Sequence, residues 1–170
     1  MERRNLLKSV SLGGVAAAAG VTPAFAAEGD LQARANHLLD RMIEAINRHD
    51  VSILDEVYAV DGYVNHQTLV TMGGNTPATT GRAQAKNYFG ARIKAFPDIT
   101  LATDIRTGSG DLIAANLVWR GTHRGDYLGI PATGRKVAWN STDILRVRGN
   151  YFVEHWGAVD MLGLQKQLKG

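Results

Sequence analysis

A chain of 170 residues with 19 Lys/Arg, 16 Asp/Glu and no cysteine is the size of one domain with a core of its own. Without cysteine it excludes disulfides, thiol nucleophiles and thiolate metal sites. The formal charge of +3 belongs mostly to the first residues, and no Lys/Arg cluster remains beyond them to bind nucleic acid.

Residues 1–26 read as a leader. Arg3, Arg4, Asn5, Leu6, Leu7 and Lys8 form a twin-arginine start, a Gly/Ala-rich run follows from Val10 to Val21, and Ala24-Phe25-Ala26 is an A-x-A cleavage site. The run is too short and too glycine-rich for the roughly 20 apolar residues of a membrane span. The expectation is therefore export to the periplasm or the medium, with no stable membrane span after cleavage and a mature domain over 27–170. Arg3, Arg4 and Lys8 would leave together with Glu2, so 16 basic and 15 acidic residues remain.

From Asp30 to Arg48 the apolar residues Leu31, Leu38, Leu39, Met42, Ile43 and Ile46 recur at helical spacing, with Asp30 as the expected N-cap. A short second helix is expected over Asp50 to Tyr58. Tyr63-Val64-Asn65-His66 then leads into a loop from Gly73 to Gly81. A third helix, from Arg82 to Phe96, would bury Tyr88, Phe89, Ile93 and Phe96 and stop at Pro97.

Beyond Pro97 the period changes to two. Ile99, Leu101, Thr103 and Ile105 predict one strand, Gly108 to Asp111 a turn, and Leu112 to Thr122 a second strand. Alternation from Val137 to Val147 places Val137, Trp139, Ser141, Asp143, Leu145 and Val147 on one face. The same count on the next strand groups Phe152, Glu154 and Trp156 and turns His155 the other way. On the strand before, Leu117, Trp119 and Gly121 lead towards His123. Helices first and strands afterwards predict an α+β domain, with the helices gathered on one face of a curved antiparallel sheet.

All three tryptophans thus share a face with an ionisable residue, and a carboxyl among aromatic rings loses hydration and moves towards a useful proton-transfer range. Asp143 is the candidate acid/base, against the plain alternative of a buried Asp hydrogen-bonded to backbone or Arg. His123 would polarise a carbonyl or hold a proton, or else brace its loop. Glu154 either supplies a second acid or pairs with Arg120 or Arg135. Asn65 and His66 are placed near the pocket mouth. Tyr63, Trp119, Trp139 and Trp156 would form apolar walls, in a core or around a ligand. His123, Asp143, Glu154 and His155 have no metal-ligand spacing, and no G-x-S-x-G is present, so no metal and no serine nucleophile is expected.

Several motifs together resemble the SnoaL-like polyketide (ester) cyclase family of the nuclear-transport-factor-like superfamily. They are Tyr63-Val64-Asn65-His66, Phe96-Pro97-Asp98, Gly110-Asp111, the loop Gly121-Thr122-His123 through Thr133-Gly134-Arg135, Asp143, Glu154-His155-Trp156, Asp160 and Gln167-Leu168. The resemblance implies a conical α+β barrel around a pocket and, for its cyclases, cofactor-free intramolecular aldol closure. Asp143 would be the acid/base, with His123 and Asn65 near the substrate. Related isomerisation or dehydration uses the same chemistry. The ligand expected is a small hydrophobic or aromatic carbonyl compound; the alternative is an exported protein that binds such a ligand without changing it. The open sheet face and the tail Leu162, Leu164 and Leu168 allow a homodimer.

Overall fold

A computed structural model of the chain describes residues 22–67 and 81–170. Helix α1 spans Thr22–Asn47, and a 3₁₀ helix over Val51–Glu56 is capped by Asp50, whose side chain accepts from the Ser52 N–H. Strand β1 covers Val64–Asn65, α2 Gly81–Ala95, β2 Thr100–Ser109, β3 Leu112–Thr122, β4 Lys136–Arg148, β5 Tyr151–Val159 and α3 Met161–Lys169. The strands form one sheet in the order β1-β5-β4-β3-β2, antiparallel throughout except that β1 runs parallel to β5.

Helix α1 begins upstream of Asp30, so Asp30 lies inside it and caps nothing. Of the expected leader, residues 1–21 lie outside the described residues, as does the predicted loop from Gly73 to Gly81 apart from Gly81 itself, which opens α2. Ala35, Leu38, Leu39, Met42, Ala45 and Ile46 turn one stripe of α1 into the sheet and are almost fully buried. On α2 the buried stripe is Ala85, Phe89, Arg92 and Ala95, and the helix stops before Pro97, whose ring cannot continue it. Burying these two stripes against the sheet's inner row is the main source of stability, at roughly 25 cal/mol per Å² of apolar surface removed from water.

Three carboxamides fasten helices to backbone that the ladder leaves open. Asn47 exchanges two hydrogen bonds with Leu101 on edge strand β2, at 2.7 and 2.9 Å. Gln167 of α3 does the same with Ala138, beyond the point where β5 stops pairing with β4. Gln32 donates to the Gly110 and Leu112 carbonyls at the β2–β3 turn. Helix α3 starts on Asp160, which accepts from the Gly163 N–H, and buries Leu164 and Leu168 while Leu162 faces out.

Two β-bulges change the predicted faces. On β2, Thr103 pairs with Leu117 and Ile105 with Asn116, which leaves Asp104 as an extra residue. Side chains beyond a bulge change face, so Ile105 is 66% exposed rather than inward. On β5, Phe152 pairs with Val147 and Glu154 with Arg146, which leaves Val153 extra. From that point His155, Gly157 and Val159 face inward and Glu154 and Trp156 face out, the reverse of the simple alternation.

Candidate active site

The inner row of β4 is as the alternation requires: Val137, Trp139, Ser141, Asp143, Leu145 and Val147 are all buried. Asp143 is therefore a carboxyl inside the protein, 8% exposed. The bulge at Val153 sets His155, also 8% exposed, on the adjoining strand against it, and His155 Nε2 lies 2.8 Å from Asp143 Oδ1. A count by twos turns His155 to the surface; the bulge corrects this and makes His155 the partner of Asp143.

A chain of hydrogen bonds runs through the pair. The Trp119 indole N–H donates to Ser141 Oγ at 3.0 Å, and Ser141 Oγ donates to Asp143 Oδ2 at 2.9 Å. At the other end Asn65 Oδ1 lies 3.1 Å from His155 Nδ1 and also accepts the Gln67 backbone N–H at 2.9 Å. That second bond identifies the oxygen of the Asn65 amide, because only an acceptor can face an N–H. His155 Nδ1 must then carry a hydrogen. A single proton remains for the 2.8 Å contact on the other side, on the imidazole or on the carboxyl. The pair is thus built to hold one exchangeable proton in a poorly hydrated place.

Arg92, which sequence reasoning missed, is 1% exposed and lines the same hollow as Asp143, Ser141 and His155. Its guanidinium stacks over Tyr88 and Trp119, 4.3 and 4.5 Å from the ring centroids, and its Nε donates to the Tyr127 hydroxyl at 3.1 Å. Burial works against the charge, but Tyr127, Tyr88 and Asp143 outweigh it and raise the pKa, so Arg92 remains a cation. Its Nη2 has no hydrogen-bond partner among the described residues. A signal existed in the sequence: Arg92 follows Ala85 and Phe89 at helical spacing on the buried stripe of α2.

The hollow bounded by Met42, Phe89, Arg92, Trp119, Asp143 and His155 holds about 20 Å³, room for about one water molecule. A roomier groove of about 510 Å³ passes over Thr100, Arg120, Lys136 and Gln167 and does not touch Asp143. The buried hollow has the chemistry and the groove does not, so the hollow is the candidate site.

The remaining predicted residues divide. Trp119 and Asn65 belong to the network. Trp139 stacks on Trp119 at 5.8 Å and 5°, as a wall behind it, with its indole N–H unpartnered among the described residues. Tyr63 is a core residue packed edge-on to Tyr58, and burial pushes its phenol far up. His123 is fully buried but does not reach the hollow. Its Nδ1 lies 3.1 Å from Thr133 Oγ1, its ring packs on Phe96, and Phe96 separates it from Trp139. The expectation that His123 shares a pocket with Asp143 is therefore corrected: β3 ends at Thr122 and His123 follows it, past the inner row.

Glu154, His66 and Trp156 gather on the outer face. His66 stacks on Trp156 at 4.7 Å, and Glu154 bonds His66 at 3.1 Å and Arg146 at 2.8 Å. Those bonds, His66 first, hold the Glu154 carboxyl below its usual range. The ion pair expected with Arg120 or Arg135 is made with Arg146 instead, since the bulge sets Glu154 opposite it.

With this geometry in view, comparison with known proteins is specific. The profile of the SnoaL-like polyketide cyclase family matches residues 36–168. The chain belongs to this SnoaL-like family. Among solved structures it is similar to TsrD from Streptomyces laurentii, at 26% identity over 80% of this chain and 95% of that one, with a TM-score of 0.71. It is also similar to IdmH from Streptomyces antibioticus, described provisionally as a polyketide cyclase, at 30% identity over 79% and 98% of the two chains and a TM-score of 0.66. A SnoaL-like protein from Jannaschia shares the fold at 17% identity, 89% and 97% coverage and a TM-score of 0.67. No curated protein matches. The expected α+β cone, a curved open sheet closed by helices, is the architecture these SnoaL-like relatives share.

Proposed function

We propose that this SnoaL-like protein is a cofactor-free acid/base enzyme that removes a proton from carbon next to a ketone, as in aldol ring closure, isomerisation or dehydration. The observation that supports it is the buried Asp143–His155 hydrogen bond of 2.8 Å, tethered at both ends and facing a hollow that also contains the Arg92 cation. In this reading Asp143 is the carboxylate that accepts the carbon-bound proton, and His155 Nε2 holds it in place through the 2.8 Å contact. Arg92 supplies fixed positive charge towards the oxygen on which negative charge develops, and stabilising that charge usually lowers the barrier of such reactions more than anything else does. The aromatic walls favour a hydrophobic, ring-bearing ketone, and they must part to admit one, because the hollow itself takes about one water.

The test is exchange of the α-protons of 2-tetralone in D₂O, followed by NMR. Wild type should accelerate exchange, and Asp143→Asn should lose about 10²-fold or more of that acceleration, the usual weight of one general base. An Asp143→Asn protein as fast as wild type would falsify the assignment. A wild type that binds 2-tetralone without speeding exchange would instead be a non-catalytic ligand-binding protein.

A further inference from the structure

Gln67 is 8% exposed, and neither its carboxamide nitrogen nor its carboxamide oxygen has a hydrogen-bond partner among the described residues. Buried amides are nearly always paired, and an apolar side chain in that place would avoid the desolvation penalty. The amide lies beside the proton-holding pair. A methyl group on Gly157 would sit 2.6 Å from Gln67 Nε2, 2.6 Å from Asp143 Oδ1 and 2.7 Å from His155 Nε2, so the three polar atoms converge beside a residue that has no side chain. An unsatisfied donor and a missing side chain thus coincide at one corner of the site.

We propose that Gln67 is a substrate-binding residue, whose Nε2 donates to the carbonyl oxygen of a ketone while Asp143 and His155 face its α-carbon. Gly157, by lacking a side chain, lets the Gln67 amide approach the Asp143–His155 pair. The assignment rests on the acid/base reading above for its choice of ketone, though the binding it describes does not require turnover. Its chemical consequence is selectivity: the site distinguishes a ketone from the hydrocarbon of the same shape, because only the ketone satisfies the orphan amide.

The test compares 2-tetralone with tetralin, its hydrocarbon counterpart, by tryptophan fluorescence titration of wild type, Gln67→Leu and the nearly isosteric Gln67→Met. Both variants should bind 2-tetralone about tenfold more weakly, the worth of one hydrogen bond in a buried site, and tetralin as well as before or better. Their melting temperature should stay level or rise, because the unpaired amide is gone. Equal shifts for both ligands, no binding of 2-tetralone by wild type, or a lower melting temperature in both variants would each overturn the proposal. Wild type that binds 2-tetralone through Gln67 but does not exchange its α-protons would remove the catalytic reading and leave this assignment standing.

Discussion

Gly157→Ala is the sharpest perturbation that the site offers. The added carbon meets three side-chain atoms at 2.6–2.7 Å, closer than any real methyl contact. Gln67 has no side-chain hydrogen bond to the described residues and can swing aside at little cost. Asp143 and His155 cannot, because Ser141 holds the one at 2.9 Å and Asn65 the other at 3.1 Å. Overpacking a filled interior costs about 1–3 kcal/mol, and lengthening a charge-assisted buried hydrogen bond costs about 1.5–3 kcal/mol. The two overlap, since one movement causes both, so the expected loss is about 2–4 kcal/mol. For a domain of this size that corresponds to a fall of roughly 5–15 °C in melting temperature. Gly90→Ala is the internal control: it lies within α2 with nothing near its added carbon, so it should gain about 0.5–1 kcal/mol. Scanning calorimetry reads both, and NMR of the His155 ring reports whether its bond to Asp143 survives. If Gly157→Ala melted at the wild-type temperature with that bond intact, the crowded corner described above would not exist.

Replacing Arg92 by Met sets the two closer of its three cation–π contacts, about 2 kcal/mol each when desolvated, and one hydrogen bond against a desolvation penalty of several kcal/mol for a buried cation. These nearly cancel, so urea unfolding should move by less than about 2 kcal/mol while 2-tetralone exchange falls at least tenfold; a stability loss above about 4 kcal/mol would instead make Arg92 a structural support. Burial holds the His123 imidazole below its ordinary 6.5, against a smaller opposing pull from Asp126. Just below pH 6.5 the unfolded chain therefore binds more protons than the folded one, and stability should fall as the pH drops through that value. The urea midpoint at pH 5.5 should lie below that at pH 7.5, and His123→Gln should flatten the difference; an unchanged slope would refute the assignment.

How much of this was legible in the sequence depended on whether a feature preserved its period. The α1 stripe, the stop of α2 before Pro97, the limits of β3 and the inner row from Val137 to Val147 follow from periodicity and a helix breaker, which are local properties. The bulges at Asp104 and Val153 are not local. No glycine or proline marks either, and a count by twos passes straight through them, so it sends Ile105, Glu154 and Trp156 inward and His155 outward. Arg92 was legible in principle, at helical spacing from Phe89, but an arginine at a core position is normally read as solvated. For Gln67 there was no signal, since its burial depends on β1 pairing with β5, a parallel contact between residues 90 apart in the chain. Asp30 had the chemistry of a cap, yet the residues before it continue the helix.

The buried polar groups near Asp143 are of two kinds, and the contrast says more about function than any one residue does. In the chain from Trp119 through Ser141, Asp143 and His155 to Asn65, each link has its partner, so the geometry around the shared proton is fixed before a ligand arrives. Gln67 and the Nη2 of Arg92 have none among the described residues. Had stability alone shaped this interior, the orphan groups would be the first replaced, since apolar substitutes of similar volume cost nothing in desolvation. Their presence beside a fully satisfied network matches the two demands of a proton-transfer site: a base held rigidly in place, and donors left free for the oxygen that becomes charged only when the base acts.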